Sequence, residues 1–449
     1  VVAAVLLVSA TAVPGAPRVP APPSPERLLD DVKALAAPAM AGRRSGTPGG
    51  EAAARYIARA FRSAGLSPGG DTGDYEQAFD VPTGVRLGAA NSLAIIAPAA
   101  RTLSPGRDFT PLTVSGDGAR SDEVVFAGYG ITAPDLGYDD YAGIDVRGKI
   151  VLLMTGEPRG RDPTSPFRKP EAYHYSERRH KVINAREHGA AAVLLVAHPG
   201  AADVLPALTG VAQPWSVLAL AVARPVADAL LASSGMSLAA AADAIDRALA
   251  PRSFAVPAVR VSVEVTLVRE RSATANVIGI LRGSDAVLKD EAVVVGAHYD
   301  HLGLGGEGSL APDAVGAVHP GADDNASGTA AVMELARRFA AAGPQPRTLV
   351  FVAFAGEEMG LLGSAEYVRR PPVPLDRTVA MVNLDMVGRP REGKVYVSGV
   401  DSGSGLRTLV SDAARGLALR PELRGDPFAP SDQTSFYAAG RPVLFLFTG

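Results

Sequence analysis

Residues 292–303, AVVVGAHYDHLG, decide how this chain is read. AVVVGA is an almost unbroken apolar run of strand length, and it ends on His298, with Asp300 two residues further on. A strand that is apolar at nearly every position, rather than at alternate ones, is covered on both faces. Four more runs have the same character: NVIGIL (276–281), TLVFVAF (348–354), TVAMVNL (378–384) and PVLFLF (442–447). Helical stretches lie between them, among them GTAAVMELARRFAAAG (328–343) and SGLRTLVSDAARGLA (404–418). Such alternation predicts an α/β fold whose central sheet is mostly parallel and covered by helices.

Outward from this region the texture changes. RLLDDVKALAAP (27–38) and GGEAAARYIARAFRSAGL (49–66) place apolar residues three and four apart, which predicts two helices, the second stopped by Gly65 and Pro68. Over residues 120–265, short β-rich runs such as DEVVFAGYGI (122–131) and GKIVLLMTG (148–156) are separated by turn residues. KVINAREHGAAAVLLVAHPG (181–200) reads as a helix, a stop at Gly189, then a strand. Lys and Arg cluster there around His174, His180 and His188, a pattern read as a solvated face because no carboxylate–His spacing accompanies it. The expected organisation is a leader and Pro-rich linker over 1–24, the first part of a main domain over 25–115, an inserted β-rich α/β domain over 116–268, and the rest of the main domain over 269–449.

Composition narrows the chemistry. At roughly 100–200 residues per domain, 449 residues make two or three domains. A formal net charge of −3, with basic residues spread along the chain, argues against nucleic acid or an anionic membrane as the main partner. With no cysteine, a thiolate metal site, a disulfide framework and a Cys nucleophile are excluded. VVAAVLLV (1–8), followed by small residues up to Ala16, is similar to the apolar core and cleavage zone of a secretory signal peptide, although an ordinary apolar helix has the same composition. The run is too short to span a bilayer, so the expected localisation is secreted or periplasmic, without stable membrane insertion.

The acidic and His residues of the last region cluster at strand ends, where open α/β sheets bind their ligands. His298 and Asp300 follow one strand, Glu357 and Glu358 follow TLVFVAF, Asp385 ends TVAMVNL, and Asp323 and Asp324 precede a helix. Each has a plainer reading. Asp323–Asn325 could cap the helix, the Glu pair could open one, and Asp385 could cap a strand. Taken together, so many carboxylates in one small volume would drive their pKa values far up, and a bound divalent cation resolves that conflict. His and carboxylate donors suit zinc, with cobalt or manganese as substitutes, and the inventory fits two ions better than one. Asp300 is placed to orient the ring of His298. His301 and His319 are expected to be loop residues.

VVVGAHYDHLG, PGADDNASG, AFAGEEMGLLGS and VNLDMVG resemble, in order across 293–388, the metal-site blocks of the co-catalytic two-zinc aminopeptidases, the family that includes glutamate carboxypeptidase. FAGYGITAPDLGYDDYAGIDVRGKIVLL (126–153) is similar to the protease-associated domain that many members carry as an insertion, and APAMAGRRSGTPGGEAAARYIARAFRSAGL (37–66) resembles the family's N-terminal part. The resemblance implies one zinc on His298 and Asp385, Asp324 bridging, and Glu358 on the other zinc. It makes Glu357 the general base, gives Asp300 the orienting role, and implies a cis peptide after Asp324. It implies a peptide substrate with a free N-terminus; a carboxypeptidase or dipeptidase, which would need a basic group such as Arg389 or Arg391 for the substrate carboxylate, stays open, as does a catalytically silent binding protein. Ser431 and Phe428 are candidates to line the substrate pocket. The family's remaining ligand is a His in a block after the strand matched by PVLFLFTG, which places it beyond Gly449 and leaves the Glu358 side with the weaker site.

Overall fold

The computed structural model describes residues 20–208, 216–305 and 314–449; the expected export segment at Val1–Val8 lies outside them. The chain forms two compact units, one made of the described residues up to Val81 together with Arg271–Gly449, the other of Pro82–Glu270.

The first unit is built on a nine-stranded mixed sheet. At its centre Ala292–His298 pairs in parallel with Thr348–Phe354 on one side and Thr378–Leu384 on the other, and Val443–Phe447 extends the parallel set. The run that contains NVIGIL is the long strand Leu267–Leu281, and it joins Thr348–Phe354 antiparallel, while a second parallel pair, Lys394–Ser398 with Arg420–Arg424, closes the other edge. Burial explains the unbroken apolar runs. Val295, Ala297, Phe351 and Ala353 face one cluster with Ile57 and Phe61 of the helix Pro48–Ser63 and with Met333 and Phe339 of the helix Gly328–Ala342. Val294, Val350, Val352 and Phe354 face the opposite cluster, with Tyr367 and Phe436. Thr47 starts the helix Pro48–Ser63 by accepting from the Gly50 N–H at 3.3 Å, which satisfies one of the donors every helix start leaves free.

The second unit has an eight-stranded sheet whose middle strands Gly118–Phe126, Ile150–Met154, Ala192–Val196 and Leu218–Val222 are parallel. The expected boundary at residue 116 falls inside this unit. Ser92–Ala97 and Phe109–Pro111 hydrogen-bond into its sheet, so the unit begins at Pro82. The short, turn-rich strands of residues 82–115 carry no apolar run long enough to announce that membership. Among the described residues, no single helix is long and apolar enough to cross a membrane.

A buried charge network holds the turn after Gly118–Phe126. The Asp140 carboxylate, fully buried, accepts from the N–H groups of Tyr129 and Ile131 at 3.0 Å each and from the Tyr138 hydroxyl at 2.8 Å. Lys181, equally buried, donates to the Tyr129 carbonyl at 2.6 Å. Burial pushes Asp140 up and pulls Lys181 down, and the charge of each opposes that shift in the other. Removing one partner strands the other in a low dielectric, so Asp140→Ala is expected to destabilise the protein by about 3–5 kcal/mol. The double variant Asp140→Asn/Lys181→Met should recover much of that. Urea denaturation followed by circular dichroism checks both; a single-variant change under about 0.5 kcal/mol, the scale of ordinary surface substitutions, would contradict the assignment.

Candidate metal centre

Sheet register assembles the site. His298 pairs with Phe354 across the sheet, and Gly296 pairs with Asn383, so two residues on Asp385 comes level with His298. After Phe354 the chain turns at Gly356, whose φ of +67° is one that L-residues rarely adopt. This turn sets Glu357 Oε2 3.8 Å from His298 Nε2. Asp324 enters from the short helical turn Ala322–Ser327 ahead of the helix Gly328–Ala342, and the Asp324–Asn325 peptide is cis. The Asn325 amide fastens that turn to the sheet: its Nδ2 donates to the Leu384 carbonyl at 2.9 Å and its Oδ1 accepts from the N–H groups of Gly328 (2.9 Å) and Met386 (3.2 Å).

Two donor groups result, and they share Asp324. In the first, His298 Nε2 lies 3.3 Å from Asp385 Oδ1 and 3.4 Å from Asp324 Oδ1. In the second, His301 Nδ1 lies 2.7 Å from Glu358 Oε1 and 3.7 Å from Asp324 Oδ2. Within each group the ligand atoms all fall within 4.8 Å of one another, and among the described residues no other group of three or more such side chains is found.

The surroundings explain how these side chains hold still. His298 Nδ1 faces the Asp300 carbonyl at 3.2 Å and its carboxylate at 3.8 Å. Asp300 Oδ1 also accepts from the Glu357 N–H at 3.1 Å, so one buried residue serves the imidazole through its carbonyl and the Glu-bearing loop through its carboxylate. The Ser431 hydroxyl donates to Asp385 Oδ2 at 2.8 Å and accepts from Asn383 Nδ2 at 2.8 Å. Asp323, beside Asp324 in sequence, turns away to accept from the Gly388 N–H and from Arg389 Nε, and takes no part in either group.

Electrostatics favour a cation here. Burial pushes Glu357 up to about 9, with Asp432 and Asp385 adding to the shift against the opposing charge of His298. Burial likewise raises Asp300 to about 6 and Asp324 above the usual carboxylate range. Burial alone would deprotonate His298, but Asp385, Glu357 and Asp300 outweigh it and hold the ring protonated well above its ordinary range. Without a metal, the carboxylates therefore favour a protonated His298; a ligating imidazole must be neutral, so a bound cation takes the place of that proton. A divalent cation would supply that positive charge instead, and the donor set, two imidazoles with carboxylates and no thiolate, fits zinc.

The sequence-derived candidates His298, Asp300, Asp324, Glu357, Glu358 and Asp385 are all brought together. His301 was expected to be a loop residue. It does lie in a loop, but its ring is in the second group. Alternation along a strand would point it away from His298, yet the strand ends at His298 and the rule ends with it. His319 stays outside both groups, its ring centroid 6.4 Å from that of His301. Ser431 supports Asp385, and Phe428 is exposed and packs edge-on against Tyr437. Asp432, fully buried and pushed by burial to about 7, escaped the sequence reading; only its place beside Ser431 marked it.

Comparison with known proteins agrees with this architecture. Residues 276–449 match peptidase family M28 and residues 112–230 match the PA domain. Aminopeptidase YwaD of Bacillus subtilis is 33% identical over 171 residues, which cover 37% of this chain and 33% of that protein. An aminopeptidase of Pseudomonas aeruginosa is 31% identical over 202 residues, 43% of this chain and 34% of that protein. The matched regions therefore span about a third of these curated relatives. A solved zinc aminopeptidase structure from Bacillus subtilis is 22% identical, with 95% of this chain and 86% of that one covered and a TM-score of 0.52. An aminopeptidase structure from Aneurinibacillus sp. strain AM-1 gives 23% identity, 94% and 85% coverage, and a TM-score of 0.51. These two likenesses establish a shared fold.

If the two groups hold divalent cations, Zn²⁺ binds the native chain and not the unfolded one. At a free ion concentration 100 times the dissociation constant, the native state should gain about 2.7 kcal/mol. Thermal unfolding with added Zn²⁺, and after exhaustive chelation, measures this. Asp324→Asn should abolish the gain, and an unchanged midpoint in the wild type would count against metal at either group.

Proposed function

We propose that this chain, whose residues 276–449 match peptidase family M28 and whose residues 112–230 match the PA domain, is a zinc-dependent aminopeptidase acting on peptides with a free N-terminus. The observation that carries this reading is the pair of donor groups joined through Asp324 with Glu357 at their edge. His298, Asp324 and Asp385 would hold one Zn²⁺, and His301, Asp324 and Glu358 the other. His301 thus offers the third protein donor on the Glu358 side. Catalytic zinc sites typically use three protein ligands, and with His301 each group has three.

Bound zinc supplies Lewis acidity, lowering the pKa of water toward about 7 and polarising a carbonyl. Glu357 then accepts the proton of the attacking water at its carboxylate and returns a proton to the leaving amine nitrogen. Asp300 keeps Glu357 in reach by holding its backbone N–H and fixes the orientation of the His298 ring. The carboxylates at the rim favour a free substrate amine, which accounts for selection of chain ends. The carboxypeptidase alternative needs a basic group free for a substrate carboxylate. Arg389 is paired with Asp323, which removes one of the two candidate groups, Arg389 and Arg391. The names of the relatives, aminopeptidases among them, support the aminopeptidase reading. The apolar run Val1–Val8, followed by small residues, supports export from the cytoplasm to a secreted or periplasmic location.

Aminoacyl-p-nitroanilides should be turned over and their N-blocked counterparts should not. Turnover of the blocked substrates, or of peptides only from the carboxyl end, would refute the aminopeptidase assignment. Glu357→Gln should keep its metal, measured by elemental analysis, and lose roughly 10²–10⁴-fold in kcat. A variant with near-normal kcat would remove Glu357 from the proton path.

A further inference from the structure

The two donor groups hang on segments that are separate in sequence: Ala292–His298 with the residues that follow it, and the turn Ala322–Ser327. One side chain from neither segment joins them. Arg43 is fully buried, and it reaches the site from the short helical segment Pro38–Arg43, where Ala41, Gly42 and Arg43 take φ of 46°, 68° and 40°. Its Nε donates to the Tyr299 carbonyl at 2.7 Å. Nη1 donates to the carbonyls of Leu35 (3.2 Å) and Pro320 (2.6 Å), and Nη2 to those of Gly321 (2.6 Å) and Asp324 (3.2 Å). Five N–H groups meet five backbone carbonyls, which is the full donor capacity of a guanidinium. Tyr299 lies between His298 and Asp300, and Asp324 is the shared donor, so the same planar group grips the backbone on both sides of the site.

Two neighbours tighten the junction. The Gly303 N–H donates to the Gly42 carbonyl at 3.1 Å, and the Ser45 hydroxyl accepts from the Gly356 N–H at 2.8 Å. Gly321 (φ +57°) lies so close that a Cβ there would stand 2.6 Å from Arg43 Nη2, 2.3 Å from the Asp324 carbonyl oxygen and 2.5 Å from His301 Cδ2.

We propose that Arg43 is a positioning residue which, through its five carbonyl bonds, fixes the distance between the His298–His301 segment and Asp324 and thereby sets the metal affinity of both groups. The proposal rests on the metal-centre reading above. Lysine carries the charge on a single nitrogen with three N–H donors and no planar fork, so Arg43→Lys leaves at least two carbonyls unserved while keeping a buried cation. Partners one layer out from a metal typically contribute 10–100-fold to affinity or activity, and a loss in that range is expected.

The test is titration of the full chain with Co²⁺ and Zn²⁺, read by absorbance and by competition with a chromophoric chelator, alongside circular dichroism and steady-state kinetics. The wild type should bind two ions. Arg43→Lys should keep its spectrum but lose at least tenfold in metal affinity, with a fall in kcat and little change in KM at saturating metal. Gly321→Ala, which crowds the same junction from the loop, should show the same pattern with Arg43 itself retained. If Arg43→Lys folds and binds metal as the wild type does, the proposal fails. If Arg43→Lys does not fold, Gly321→Ala decides: wild-type affinity and kcat in that variant overturn the proposal. Failure of the wild type itself to bind metal would instead overturn the metal-centre reading on which it stands.

Discussion

Like charges gathered at the end of a sheet set the terms for this molecule. Asp300, Asp324, Glu357, Glu358 and Asp385 converge on His298 and His301 in a largely buried space. Such an arrangement is unfavourable in isolation, because each carboxylate raises the cost of ionising its neighbours. Its persistence in a folded chain requires compensating positive charge and a scaffold that leaves the acids nowhere else to go. The parallel centre of the sheet provides the scaffold. Three adjacent strands run the same way and stop at nearly the same height, so whatever follows each strand is delivered to one rim.

The layer behind the rim is made of neutral or backbone-directed hydrogen bonds, with few further charges. Asn325 ties its own turn to the strand Thr378–Leu384, Ser431 and Asn383 buttress Asp385, and the Thr329 hydroxyl donates to the His298 carbonyl at 2.7 Å. Amides and hydroxyls of this kind orient a carboxylate without neutralising it, so its charge remains available to a cation. Arg43 is charged, yet all five of its bonds go to backbone carbonyls.

Much of this was legible in the sequence because two simple rules held. Doubly covered strands must be continuously apolar, which exposed Ala292–His298, Thr348–Phe354 and Thr378–Leu384, and acids at such strand ends had no core role to explain them. Other parts were hidden for equally physical reasons. His301 lies past the end of its strand, where alternation no longer predicts direction. Arg43 acts across more than 250 residues of sequence through backbone carbonyls, and carbonyls leave no mark on residue identity. The start of the second unit at Pro82 was missed because its first strands pair with partners distant in the chain, as Ser92–Ala97 does with Phe254–Val265, and are too short and mixed in polarity to declare their sheet.

Sharing Asp324 between the two groups has a thermodynamic consequence. One carboxylate has an oxygen toward each side, so if each group takes an ion, as proposed above, an ion arriving at either one changes the charge and orientation of a ligand belonging to the other. The two occupancies are then not independent events but a linked pair. Whatever factor the first ion applies to the affinity of the second, the second applies equally to the first. Loading of such a two-ion centre would be described by a coupling free energy as well as two intrinsic affinities, and Asp324 would be the residue through which that coupling passes.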